Sequence, residues 1–119
     1  MDKTLLIYTT WPDADTAGAA ARAAVEAGCA ACANILAPMT SVYRWEGRIE
    51  QATETPVLFK TTAAAAEALR ALILARHPYD LPCIVAVGIE KAGSNPAFLQ
   101  WIAAETARAP ASPSGGETG

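Results

Sequence analysis

The spacing of apolar positions switches between two periods along the chain, and the switches mark its elements. "KTLLIYTT", residues 3–10, is apolar and β-branched and stops at Trp11-Pro12, which predicts a strand ended by proline. A helical period follows in "TAGAAARAAVEAG", where Ala17, Ala20, Ala21, Ala24 and Val25 share a face. Asp13 or Asp15 supplies its N-cap and Gly28 a left-handed stop. Its apolar side chains are small, so the helix is expected to lie close to its sheet. "CANILAPMTSVYRW" and "RIEQATETPVLFKTT" are two runs of strand formers joined by the turn dipeptide Glu46-Gly47, which predicts a long hairpin with a projecting tip. Pro38 and Pro56 each lack a ladder donor and predict a bulge or an edge position in its arms.

"AAAAEALRALILARH" returns to the helical period through Ala65, Leu69, Leu72, Ile73 and Arg76 and is halted by His77-Pro78. "CIVAVGIEK" predicts a fourth strand. Gly93-Ser94-Asn95-Pro96 then caps a last helix, with Phe98, Trp101, Ile102 and Glu105 at helical spacing. The order predicts an α+β fold, the ferredoxin-like βαββαβ arrangement with an added C-terminal helix and one antiparallel sheet. Residues 1–109 form the single domain, and 110–119, "PASPSGGETG", form a flexible tail. With the first two helices on one face, the opposite face is expected to be bare and to drive association.

Composition sharpens this picture at a few points. In 119 residues, 52% are hydrophobic and 18% charged, a balance that leaves a small domain with more apolar surface than it can bury alone. A net charge of −3 with scattered Lys and Arg gives no basic stripe, so nucleic acid is not an expected partner. No apolar run reaches bilayer length and the N-terminus has no signal-peptide pattern, so neither a membrane partner nor export is expected. Three cysteines cannot all pair within the chain, and as thiols they point to a cytoplasmic location.

The candidate chemistry is sparse. Cys29 and Cys32 have the spacing of a zinc or redox pair, but they follow a helix C-terminus, where the dipole disfavours a thiolate. Buried structural thiols are the alternative reading. His77, the sole histidine, either bonds a carbonyl at a helix end or binds copper or zinc weakly. Glu46, Glu50 and Glu54 form a spaced acidic row, suited to a cation or simply solvated with Arg44 and Arg48 nearby. No nucleophile constellation or glycine-rich phosphate loop is present, so an enzyme is not expected.

"CAACANILAPMTSVYRWEGRIEQ", "VLFKTT", "RHPYDLPCIVAV" and "FLQWI" together resemble the successive signature segments of the CutA family, the divalent-cation-tolerance proteins, over roughly residues 3–107. The resemblance implies a ferredoxin-like homotrimer similar in architecture to PII-type signalling proteins, a link to copper tolerance, and no required cofactor. It implies that the "SVYRWEG" hairpin is an intersubunit arm, with Tyr43, Trp45 and Glu46 at the trimer interface. It further implies a cleft between subunits containing Cys32, Lys60, His77, Tyr79 and Trp101, where Lys60 would meet a small anionic ligand or pair with an acidic residue. Copper donors described for some members fall here on Thr9, Arg76 and His77, so two of three are absent. Cys83 stands where an acidic residue is usual and is either a compensating soft ligand or simple packing, which leaves His77 and Cys83 as the candidate ligands for copper or another divalent cation. Two function classes follow: a trimeric metal-responsive or weakly metal-binding protein, or a trimeric PII-like scaffold or small-molecule sensor without a direct metal role.

Overall fold

The computed structural model describes residues 3–109. Along the chain run β1 (Thr4–Trp11), α1 (Ala14–Glu26), β2 (Cys32–Ile35), β3 (Met39–Trp45), β4 (Arg48–Thr62), α2 (Ala63–Arg76), β5 (Ile84–Gly88) and α3 (Pro96–Glu105). The sheet has the order β2-β4-β1-β5, with β3 paired to the other end of β4, and every pairing is antiparallel. This is a mixed α+β fold, with three helices among the described residues. The predicted tail, 110–119, lies outside the described residues.

Strand alternation assigns the two faces. Ile7, Thr9 and Trp11 of β1 sit in register with Phe59, Val57 and Thr55 of β4, and all six are buried on the side that α1 and α2 cover. The helices contribute Ala17, Ala20, Ala21 and Ala24 from α1, and Ala68, Leu69 and Ile73 from α2, to the same core. Val25, expected on that alanine stripe, is exposed. At about 100° per residue it falls at the stripe's edge, too far round to reach the sheet.

Of the two acidic candidates, Asp13 caps α1: its Oδ1 accepts the Thr16 backbone N–H at 2.8 Å and the Thr16 hydroxyl at 3.0 Å. These two hydrogen bonds, the backbone one foremost, hold the Asp13 carboxyl below the usual carboxylate range. A depressed carboxyl adds stability above its unfolded-state pKa and loses it as pH falls through the folded one. Asp13→Asn keeps a capping oxygen but does not titrate, so its melting temperature should fall less steeply below about pH 4 than that of the unaltered chain. Calorimetric scans across that range check this, and parallel acid limbs would refute it.

The hairpin departs from expectation in one useful way. The predicted strand over 32–45 is split, with β2 ending at Ile35, β3 starting at Met39, and Pro38 in the break. Pro56, expected at a bulge or edge, instead pairs in register with Thr10 in an interior strand. Its carbonyl accepts the Leu36 N–H at 3.0 Å, so its nitrogen faces the same flank, where β2 has just ended. The missing donor therefore falls opposite the break.

Beyond Thr55 there is no β1 residue left to pair, so Arg48–Glu54 is bonded to β3 alone. The result is a two-stranded arm. At its tip Glu46 and Gly47 have φ of 50° and 79°, the positive values a two-residue type I′ turn requires, and Trp45 sits opposite Arg48. Glu46 thus belongs to the turn rather than to a strand face. Arg44, expected near the carboxylates, reaches the Gly47 carbonyl at 3.4 Å.

α3 covers one end of the second sheet face. Asn95 Oδ1 accepts the Ala97 N–H at 3.1 Å and Pro96 occupies the first turn, as the sequence predicts. The packed residues are Leu99 and Ile102 against Ala31 and Ile89. Thr106, just past the helix, adds a hydroxyl contact of 3.2 Å to Thr62. The expected stripe is therefore rotated: Ile102 is buried, but Phe98 and Trp101 are exposed and stacked at 5.4 Å.

Candidate functional site

Apart from Tyr43, Trp45 and Glu46 on the arm, the predicted site residues fall into two groups at opposite ends of the sheet. The first forms where α2 stops. Pro78 ends the helix and His77, only 9% exposed, turns inward. Its Nε2 lies 2.7 Å from the Thr10 carbonyl oxygen, which has no proton to give, so Nε2 donates. Nδ1 then accepts the Tyr79 N–H at 3.2 Å. The ring is stacked on Trp11 at 4.3 Å and meets Tyr79 at 4.8 Å. Both nitrogens are committed, so His77 as placed has no free lone pair for a metal. The carbonyl it bonds belongs to β1, which makes it a clip between helix end and sheet.

Cys83 approaches the same end from the start of β5 and is half-buried. Burial pushes its thiol up, the Thr10 hydroxyl opposes this, and Glu54 adds to it. Tyr8 and Tyr79 are also held above the ordinary phenol range, chiefly by burial, with Cys83 and Glu54 contributing at Tyr8 and Glu54 at Tyr79. The Tyr8 hydroxyl reaches the Met39 sulfur at 3.8 Å. Among the described residues no group of three or more His, Cys, Asp or Glu side chains converges on a common point.

Thr9 is part of the core scaffold: its Oγ1 donates to the Val57 carbonyl at 3.0 Å and accepts from Trp11 Nε1 at 2.8 Å. Arg76, the other replaced donor position, is exposed.

The second group lies near the other end of the strands. Cys32 is directly opposite Lys60 in the β2–β4 ladder. Lys60 Nζ donates to Asn34 Oδ1 at 2.5 Å and lies 6.0 Å from the centre of the Phe98 ring, which stacks on Trp101. Among the described residues no carboxylate pairs with Lys60; the ion pairs present are Arg70–Glu67 and Arg108–Glu105. Beside it is a cavity of about 270 Å³ walled by Leu6, Ile89, Phe98, Leu99 and Ile102. Lys60 and Pro56, the partners of Leu6 and Thr10, are four residues apart on β4, so the two groups sit about 13 Å apart along the strand. One chain brings Cys32 and Lys60 together, with Trp101 reached through Phe98, and gathers His77, Tyr79 and Cys83 at the other end, but it does not bring the two sets together.

Cys29 and Cys32 are separated by the sheet. Cys29 is buried in the helix-side core, where burial raises its thiol and its carbonyl accepts the Thr61 hydroxyl at 2.6 Å. Cys32 is on the far face with Lys60. The residues that sequence reasoning missed are Trp11, Asn34 and Phe98. Asn34 was legible in principle, since alternation puts it on the same face of β2 as Cys32.

Tyr43 and Trp45 project from one face of the arm, opposite Glu50 and Arg48, while Val42 and Ile49 project from the other, 65% and 64% exposed. Both faces of an unsupported ribbon therefore carry apolar side chains.

Comparison with known proteins matches residues 5–105 to the family described as "CutA1 divalent ion tolerance protein". The divalent-cation tolerance protein CutA of Thermus thermophilus is 40% identical over 106 residues, covering 89% of this chain and 99% of that one. Protein CutA of Mus musculus is 35% identical over 95 residues, 80% of this chain, which spans about half of the mouse protein, 52%. Among solved structures, CutA1 from Shewanella sp. SIB1 superposes with a TM-score of 0.83 at 38% identity, covering 94% of this chain and 97% of that one.

Proposed function

Since the chain belongs to the CutA1 divalent ion tolerance family, we propose that it works in divalent-cation tolerance as a homotrimer of ferredoxin-like subunits joined by the β3–β4 arms. One observation carries the assembly. A lone two-stranded ribbon is marginal in water, and this one exposes Val42 and Ile49 on one face and Tyr43 and Trp45 on the other. Partner copies would cover both faces. Counting β2 and β3 as one interrupted arm, the strand order supports the ferredoxin-like description. We assign no reaction to the protein.

Metal contact in this reading is weak and runs through Cys83. With both nitrogens of His77 engaged, Cys83 is the soft donor of the predicted pair that keeps a free ligating atom. The three free thiols support a cytoplasmic setting; relatives carry the names chloroplastic in Arabidopsis thaliana and periplasmic in Archaeoglobus fulgidus. Among the described residues no helix is long and apolar enough to cross a membrane. Titration of the reduced protein with Cu(I), Cu(II) and Zn(II) should give weak heats that Cys83→Ser abolishes and His77→Gln leaves in place. The opposite pattern would sink the Cys83 assignment.

A second reading rests on Lys60. A cation with a neutral partner and, among the described residues, no carboxylate, next to a cavity, supports a small-anion sensor site that a neighbouring subunit would close.

A further inference from the structure

We propose that the cavity beneath α3 binds a small amphipathic monocarboxylate, with the carboxylate on Lys60 and the hydrocarbon between Leu6, Ile89, Leu99 and the Phe98 ring. The inference rests on the small-anion reading and specifies its chemistry.

Three observations select this class. Lys60 is the one charged side chain among the described residues that line the cavity, and the remaining wall is dominated by aliphatic and aromatic side chains. Its ammonium has three donors, of which Asn34 takes one, and the Asn34 oxygen brings no net charge. Lys60 is half-buried as a residue while its Nζ–Asn34 bond is exposed to solvent, so an ionised acceptor would meet the ammonium at the cavity mouth, where a charge-assisted hydrogen bond is about twice as strong as a neutral one. Beyond Lys60 the polar lining is Thr4, Ser94 and Asn95, none of them charged, so a second negative charge would find no second cation, which disfavours dicarboxylates and phosphate dianions. Alcohols offer Lys60 only a neutral acceptor, and amines bring a like charge. The volume of about 270 Å³ lies just below the usual small-molecule range and limits the tail to a short chain or one ring.

The test is an amide-shift NMR titration of the full chain with hexanoate, 1-hexanol, hexylamine and inorganic phosphate as probes. Hexanoate should saturate with a Kd on the order of 1 mM, as expected for so small a ligand, and should move the signals of Leu6, Ile89 and Leu99. Hexanol and hexylamine should bind at least about tenfold more weakly. Lys60→Met should weaken hexanoate about tenfold or more, while Lys60→Arg should stay within a few-fold, which separates loss of charge from loss of fold. Equal binding of hexanol and hexanoate, or shifts confined to another surface, would overturn the proposal. Phosphate binding at Lys60 without hexanoate binding overturns the monocarboxylate class and leaves the small-anion reading standing. If neither probe binds, a neighbouring copy or nothing at all occupies the cavity, and both readings fall.

Discussion

Replacing Trp11 with alanine lowers the free energy of unfolding by about 3–5 kcal/mol, the range for truncating a large buried aromatic. Trp11 is 0% exposed, and its indole is one wall of the stack that holds His77. Its Nε1 also donates to Thr9, whose hydroxyl in turn donates to the Val57 carbonyl, so one side chain ties β1 to β4 and both to the end of α2. Alanine leaves a void that β1, paired to β4 at Trp11 and to β5 up to Thr9, cannot readily collapse to fill. Trp11→Phe keeps the stack and loses the N–H, and should cost about 1–2 kcal/mol. Denaturant titrations at one fixed protomer concentration check both values, since association moves the midpoint with concentration. An alanine variant within about 1 kcal/mol of the unaltered chain would show that the stack contributes little.

The second large effect is on assembly. Tyr43→Asp combined with Trp45→Asp places two carboxylates on the arm face where two aromatic rings now stand, beside Glu50. Central aromatic anchors are worth about 2 kcal/mol or more apiece at interfaces, so the pair should weaken association by roughly 10³-fold. Sedimentation at micromolar concentration should show the unaltered chain as a trimer and the double variant as a monomer. Far-ultraviolet dichroism should keep its helical signal, because the arm adds nothing to the core around Phe59 and Ile73, while the strand signal of an uncovered arm weakens. A trimer that survives both substitutions would place the interface elsewhere.

Much of the fold was legible because local rules and tertiary demands agree along most of the chain. Asp13, Gly28, Gly47, Asn95 and Pro96 each occupy the cap or turn position that their chemistry predicts. The failures have a common cause. Val25 and the Phe98–Trp101 stripe obey helical spacing, but spacing does not say which side of the stripe meets the sheet; α3 turns Leu99 and Ile102 inward because Ala31 leaves room there. Pro56 fits an interior strand because its cost depends on a break in a different strand, which its own neighbours in sequence do not show.

The site was less legible than the fold. That Cys32 and Lys60 are neighbours follows from strand register, which two separate runs do not reveal until their turn is fixed. His77 looked like a possible ligand because it is the sole imidazole; only the Thr10 carbonyl and the Tyr79 N–H, one on another element, show that it is already occupied.

β4 belongs to two ladders of different dependence. From Val57 to Lys60 its backbone is held on both flanks by β1 and β2, whereas from Arg48 to Glu54 it has β3 alone within its own chain. Amide protons along this one strand therefore answer to two equilibria: those near Phe59 exchange only when the body opens, and those near Glu50 exchange whenever the arm is without a neighbour. A single strand becomes a graded gauge, reading folding at one end and company at the other.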